Sequence, residues 1–136
     1  GGDISFFSAH LHPSDGSVRA REIAEMLKVM APSLEKGGAV MLQGDLNHPP
    51  TGPEYPRWRE AGLVDAFDRK EEGTPEYSAN SHLPQKRIDY IWTSKSLARR
   101  GGDCRILFER AFRTHPEDPR STALSDHIPV MAEFGA

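Results

Sequence analysis

The chain has 136 residues, of which 37% are hydrophobic and 27% charged, with 17 basic against 20 acidic side chains for a formal net charge of −3. That is room for one small domain with a single core and an ordinary globular composition, which excludes a disordered or fibrous chain. No apolar run approaches the roughly 18–20 residues a membrane span needs, and the missing basic surplus argues against tight, extended gripping of a nucleic-acid backbone.

The opening "GGDISFF" has no initiator methionine and enters an apolar run at once, the pattern of a segment cut from a longer protein with Gly1 and Gly2 as linker or scar. Residues 4–11, rich in Phe and Ile and bounded by "HPSDG", predict a strand. Val18, Ile23, Ala24, Met26, Leu27 and Met30 recur at helical spacing, predicting an amphipathic helix from Val18 to about Met30 that Pro32 and "EKGG" end. "AVML", 39–42, is an uninterrupted apolar run, the pattern of a buried strand. "NHPPTGPEYP" must be loop, and "RWREAGLVDAF" predicts a short helix closed near Gly62. Residues 68–86 form a long polar connection and a candidate substrate-facing segment. "IDYIW", 88–92, predicts a strand, "CRILFERAF", 104–112, a strand with a helix as the alternative, and "IPVMAEF", 128–134, a last strand with Pro129 at its start or on an edge. This order indicates an α/β layered architecture. Cys104 stands alone, so it forms no internal disulfide; it is expected to be a semi-buried bystander, and the compartment stays open, with the cytoplasm favoured and secretion not excluded.

Three phrases carry chemistry. In "GDLN" Gly44 allows a sharp turn after the strand, and Asp45 and Asn47 can present an acceptor and a donor to one cleft, although the same residues are common in plain turns. In "RIDY" Asp89 is a carboxylate inside an apolar strand and needs a partner; an imidazole N–H would be fixed in tautomer by it, while Arg87 or the backbone are the structural alternatives. In "SDHIPV" Asp126 and His127 set a hard oxygen ligand beside a proton acceptor, the pair that metal-assisted hydrolysis of a phosphate ester needs, although Ser-Asp is also a common cap.

A histidine at a strand end in "AHL", then "GDLN", "RIDYI" and "SDHIPV" in that order resemble the endonuclease/exonuclease/phosphatase superfamily, the deoxyribonuclease-like fold, along essentially the whole chain. The resemblance implies an α/β layered sandwich with a mixed, mainly antiparallel sheet and helices on one face. It implies in-line attack of water on phosphorus assisted by Mg²⁺ (or Mn²⁺), with no covalent enzyme intermediate. By the same resemblance His127 is the base that activates water, and His10 helps the leaving oxygen or steadies the phosphate. Asp89 orients a histidine, Asp45 and Asn47 position water and phosphoryl oxygens, and Asp126, with Asp45, stands on the metal side. Family members also carry a first half that supplies an asparagine and the principal metal-binding glutamate, and nothing before His10 matches these, Asp3 being too isolated. Residues 1–136 therefore look like the C-terminal part of such a domain without its N-terminal part, expected to expose a sheet face or edge and to be weak or inactive alone.

His10 and His12 also raise a zinc His-x-His site, but Asp15 is one residue too far for the metallo-β-lactamase-like pattern and too few further ligands follow. A non-catalytic binding or scaffolding module that keeps the fold is the other rival; it predicts that His10, Asp45, Asn47, Asp89 and His127 scatter instead of converging. Tyr55 and Trp58 could stack a base or sugar, or serve as core. Tyr77, His82 and Arg87 could touch a phosphate. The substrate stays a phosphate ester of open identity: nucleic acid, phospholipid or small phosphodiester.

Overall fold

The computed structural model describes residues 3–70, 72–73, 75–79, 81, 85–109, 112–118 and 120–135. His82 lies outside these described residues. The first strand, β1, covers Ile4–Ser8. It is shorter than the expected 4–11, yet the chain keeps following its neighbour: Ala9 N–H donates to the Gln43 carbonyl at 2.9 Å and Leu11 N–H to the Asp45 carbonyl at 3.0 Å. The first helix, α1, spans Gly16–Glu35. Asp15 caps it, its Oδ1 accepting from Ser17 N–H at 2.8 Å and Val18 N–H at 3.2 Å. Pro32 does not end it as expected: the helix runs three residues past it, the exposed ring forfeiting the one N–H that would reach the Lys28 carbonyl, while Met30 and Leu34 still pack on the core.

Strand β2 runs Ala39–Asp45, three residues past the expected end. Gly44 is therefore inside the strand rather than at a turn, with φ +135°, and a Cβ there would stand 1.9 Å from the Ala9 carbonyl oxygen. The glycine admits the backbone that carries His10; the reversal comes later, at Asn47 with φ 52°. The expected short helix closed near Gly62 is α2, Tyr55–Glu60, and two elements the sequence did not announce follow it: the strand β3, Leu63–Asp65, and a 3₁₀ turn, Ala66–Arg69. Strand β4, Asp89–Ser94, a short helix α3, Lys95–Ala98, and strands β5, Gly101–Ile106, and β6, Val130–Phe134, complete the order. Pro129 precedes β6, where its missing N–H costs no ladder bond.

The four-stranded sheet has the order β1-β2-β4-β3, with β1 parallel to β2 and the other pairs antiparallel; β5 and β6 form a second, two-stranded antiparallel sheet. The apolar runs of β2 and β4 are uninterrupted because both faces are covered. On one face Val40, Leu42, Tyr90 and Trp92 pack with Ile23 and Met30 of α1 and Trp58 of α2. On the other, Met41 and Ile91 meet Cys104, Ile106 and Ile128. Cys104 is fully buried rather than semi-buried, and burial pushes its thiol up to about 12, which makes it an inert packing residue. Strand β1 leaves a face open: Ile4 and Phe6 are 46% and 56% exposed. None of the helices among the described residues is long and apolar enough to cross a membrane.

Several polar side chains the sequence offered to a substrate are structural. Trp58 is fully buried and Tyr55 packs against the same core, so both serve as core rather than as stacking platforms. Arg87, also buried, donates to Asp65 Oδ2 at 2.6 Å and lies over the rings of Phe67 and Tyr90, which removes it as a phosphate contact. Tyr77 is half exposed.

His48 locks the chain just beyond Asn47. Trp58 Nε1–H donates to its Nε2 at 3.1 Å, so the ring hydrogen is on Nδ1, which faces the Pro49 carbonyl at 3.3 Å. The Tyr90 hydroxyl donates to the His48 carbonyl at 2.7 Å, and its ring stacks on the imidazole with centroids 4.9 Å apart. Burial holds the His48 pKa below the ordinary 6.5. Between that depressed folded value and the ordinary one, the unfolded chain binds the proton and the folded chain does not, so stability is fully present above pH 6.5 and falls as pH drops through the window. The melting temperature of the wild type should therefore drop more between about pH 7.5 and about pH 5.5 than that of His48→Gln, whose amide can still accept from Trp58. Parallel melting curves for the two proteins over that range would remove His48 as the source.

Candidate active site

The register of the sheet builds the site. Asp45 ends β2 and Asp89 begins β4, and the two are direct cross-strand partners. Their carboxylates therefore share one face at one end of the sheet, an arrangement that like charges resist unless something of opposite charge or a hydrogen bond intervenes. Continuing the parallel register of β1 past Ser8 brings His10 beside Asp45.

His127 arrives from a separate segment. Ala79 bridges to both Lys86 and His127, and Ile128 N–H donates to the Ser78 carbonyl at 2.7 Å. Ser78 and Ala79 are thus clamped between the approach to β4 and the approach to β6, and this clamp sets the imidazole over the sheet end. His127 Nδ1 lies 2.8 Å from Asp89 Oδ2. Its Nε2 lies 3.7 Å from Asp45 Oδ2, and His10 Nε2 lies 3.7 Å from the same oxygen. His10 is an open-sided group, its side chain 70% exposed, whereas the side chains of Asp45, Asp89 and His127 are 18%, 19% and 32% exposed.

The electrostatics follow from this crowding. Burial pushes the Asp45 carboxyl up, the Asp89 charge adds to the effect, and the hydrogen bond from Asn47 N–H at 2.9 Å works against it. Burial alone would lower His127, but the hydrogen bond to Asp89 and the charges of Asp89, Asp45 and Asp126 outweigh it and raise the imidazole above its ordinary value.

Asn47 is near but partly committed: its Nδ2 donates to the Leu11 carbonyl at 2.8 Å. That bond ties the β1 extension to the loop after β2, and one of its two N–H groups stays available. His12 does not join His10. Its Nδ1 accepts from Ser14 N–H and Asp15 N–H at 3.3 and 3.0 Å, a local turn that puts the hydrogen of the neutral ring on Nε2 and leaves no free lone pair for a zinc ion. Asp126 is exposed, its Oδ1 3.3 Å from Ser125 Oγ, and its carbonyl accepts from Ser81 N–H. Among the described residues the group that could hold a metal ion comprises Asp45, Asp89 and His127, with candidate ligand atoms within 4.8 Å of one another; Asp126 is outside it. The donor set is carboxylate-rich, which suits a hard divalent cation that keeps waters or phosphate oxygens for the rest of its shell. Asp89 Oδ2 already accepts from His127 and from Ser78 Oγ–H at 2.6 Å, whereas Asp45 Oδ2 faces the two imidazole Nε2 atoms with Oδ1 held by Asn47 N–H. A cleft of about 260 Å³ lined by Gln43, Gly44, Asp89, Ile91, Ser125 and His127 opens alongside. Sequence reasoning missed Ser78: it stands in a polar loop 11 residues before Asp89 with no spacing rule to connect them.

A family model described as "Endonuclease/Exonuclease/phosphatase family" matches residues 2–127. Among curated protein sequences none matches the chain. Solved structures similar in fold include a mannosyl-6-phosphatase from Bacteroides thetaiotaomicron VPI-5482, with TM-score 0.69, 20% identity, and coverage of 95% of this chain and 50% of that one. A 3′-5′ exonuclease from Neisseria meningitidis gives TM-score 0.69 at 18% identity, covering 95% and 60% of the two chains. An AP endonuclease from Archaeoglobus fulgidus gives 0.66 at 17% identity, covering 98% and 62%. The chain thus spans between half and three-fifths of the length of these structures. At such identities the likeness is one of fold: a mixed α/β deoxyribonuclease-like architecture with a mainly antiparallel sheet.

Proposed function

Because the chain belongs to the endonuclease/exonuclease/phosphatase family, we propose that it forms the C-terminal part of a domain that hydrolyses phosphodiester or phosphomonoester bonds with histidine-activated water. The observation that carries this reading is convergence: His10 and His127 both direct Nε2 at Asp45 Oδ2 from 3.7 Å, with Asp89 behind His127 at 2.8 Å. A binding module that merely kept the fold would have no use for this grouping.

His127 is the general base in this proposal. Asp89 accepts from Nδ1–H, which leaves the Nε2 lone pair toward the cleft, and it stabilises the imidazolium that forms when water gives up its proton. His10, exposed and with Nε2 3.7 Å from Asp45 Oδ2, donates to the leaving oxygen or to a phosphoryl oxygen in this proposal. The unused N–H of Asn47 holds a phosphoryl oxygen, and Asp45 orients the attacking water. Asp45, with Asp126 adding negative charge beside His127, is where this chain would hold Mg²⁺ (or Mn²⁺), which when bound would neutralise charge on the phosphoryl oxygens. We further propose that the principal metal carboxylate comes from a segment preceding these residues, packed on the open face of β1; the exposed Ile4 and Phe6 support this.

The test uses the full-length protein that contains this chain, with bis-p-nitrophenyl phosphate and p-nitrophenyl phosphate as substrates. Turnover should require added Mg²⁺ or Mn²⁺ and vanish with EDTA, while residues 1–136 alone should be weak or inactive. Robust EDTA-resistant turnover would remove the metal-assisted reading, and robust turnover by the isolated chain would remove the two-part domain.

A further inference from the structure

Ser78 is fully buried in the long connection before β4, and its hydroxyl has a fixed polarity. Asp89 N–H at 3.1 Å and Ile88 N–H at 3.3 Å both point at Ser78 Oγ, so the oxygen accepts from two amides. Its own hydrogen is then left one direction, toward Asp89 Oδ2 at 2.6 Å. That is the same carboxylate oxygen that meets His127 Nδ1 at 2.8 Å. One oxygen that accepts from two sides has no lone pair left for rotation to exploit, so the carboxylate cannot swing away from the imidazole.

We propose that Ser78 is a positioning residue of the site: it donates to Asp89, makes Asp89 the acceptor toward His127, and so fixes His127 in the tautomer with a bare Nε2 facing the cleft. The effect runs Ser78 to Asp89 to His127, and Ser78 touches no reacting atom. It rests on the assignment of His127 as the base, and it extends that assignment to a loop residue 49 positions away in the chain. The side chain is separable from the fold of the loop, because the backbone contacts of Ser78 are independent of it. Its N–H donates to the Lys86 carbonyl at 2.9 Å and its carbonyl accepts from Ile128 N–H at 2.7 Å.

The test compares Ser78→Ala and Ser78→Thr in the full-length protein, with histidine labelled at its ring nitrogens for NMR. A histidine Nδ1–H held on a carboxylate gives an exchange-protected, strongly downfield proton signal; its loss in His127→Gln assigns it. Ser78→Ala should broaden or abolish that signal and lower kcat about 10- to 100-fold, the usual cost of losing such an outer support, with KM nearly unchanged. Ser78→Thr, which keeps the hydroxyl, should restore both. If Ser78→Ala melts early, Ser78→Cys, similar in size and only a weak donor, takes its place. A wild-type signal in a folded Ala or Cys variant would overturn the proposal, as would a Thr variant that melts normally yet behaves like Ala. The signal needs no turnover, so a protein that hydrolyses nothing would count against the proposed function while the NMR comparison still decides the role of Ser78.

Discussion

Replacing His127 with alanine in the full-length protein should lower kcat for phosphate-ester hydrolysis by about 10²- to 10⁴-fold, the usual contribution of a positioned proton acceptor. Three features hold the imidazole for this proposed role. The Ala79 bridge fixes its backbone, Asp89 fixes its ring, and Asp45 with Asp89 keeps it more basic than a free histidine. Because its side chain is 32% exposed and fills no core cavity, the melting temperature should change little. Asp89→Asn should fall in the same direction, since an amide can present its N–H to Nδ1 and force the ring hydrogen onto Nε2, where the lone pair is needed. Activity measured under saturating substrate, beside a thermal melt of each variant, separates catalysis from folding. An alanine variant with wild-type kcat would dismiss His127 as the base.

Arg87→Met should lower stability by about 3–5 kcal/mol, the range for stranding one partner of a buried ion pair. Asp65 is fully buried; it accepts from Arg87 at 2.6 Å, from the Tyr55 hydroxyl at 2.9 Å and, through Oδ1, from Phe67 N–H at 3.0 Å. Burial works against the guanidinium charge, but the Asp65 carboxylate outweighs it and holds the Arg87 pKa above its ordinary value. Methionine fills most of the volume between Phe67 and Tyr90 but leaves the carboxylate to two neutral donors. Denaturant titration should show a lower midpoint at unchanged slope. Pairing Arg87→Met with Asp65→Asn should recover part of the loss, because the second change removes the stranded charge. A single variant with the wild-type midpoint would mean that the pair contributes nothing to folding.

The apolar runs of β2 and β4 were legible because both faces of those strands are covered, so hydrophobicity is continuous and needs no period to be seen. The positions of Asp45, Asp89, His10 and His127 were legible as four short phrases in a fixed order. Their meeting depends on one cross-strand pair, Asp45 opposite Asp89, and on one bridge, Ala79 to His127. The three residues of β3 are too short for an alternation to show, so "LVD", just beyond the helix closure at Gly62, carries no strand signal of its own. Arg87 and Asp65 are 22 residues apart and meet only through the β3–β4 register, which no local pattern announces. Ser78 was hidden for the same reason, and Gly44 showed as a turn former because nothing in the sequence reveals that another backbone passes 1.9 Å from where its Cβ would be. Pro32 reads as a stop because it removes a helix hydrogen bond, yet the packing of Met30 and Leu34 on the core carries α1 past it to Glu35.

Asn47 combines a left-handed backbone, φ 52°, with an amide that tethers the strand segment bearing His10. Glycine satisfies the first demand and has no amide to offer; aspartate tolerates the conformation but repels the carbonyl it would have to grip; glutamine can donate but resists the dihedral. Evolutionary drift at this position is thereby closed on two unrelated grounds at once. An asparagine there is compelled by backbone geometry before any chemistry is asked of it, so its persistence in a descendant would say nothing, taken alone, about whether that descendant still turns over substrate.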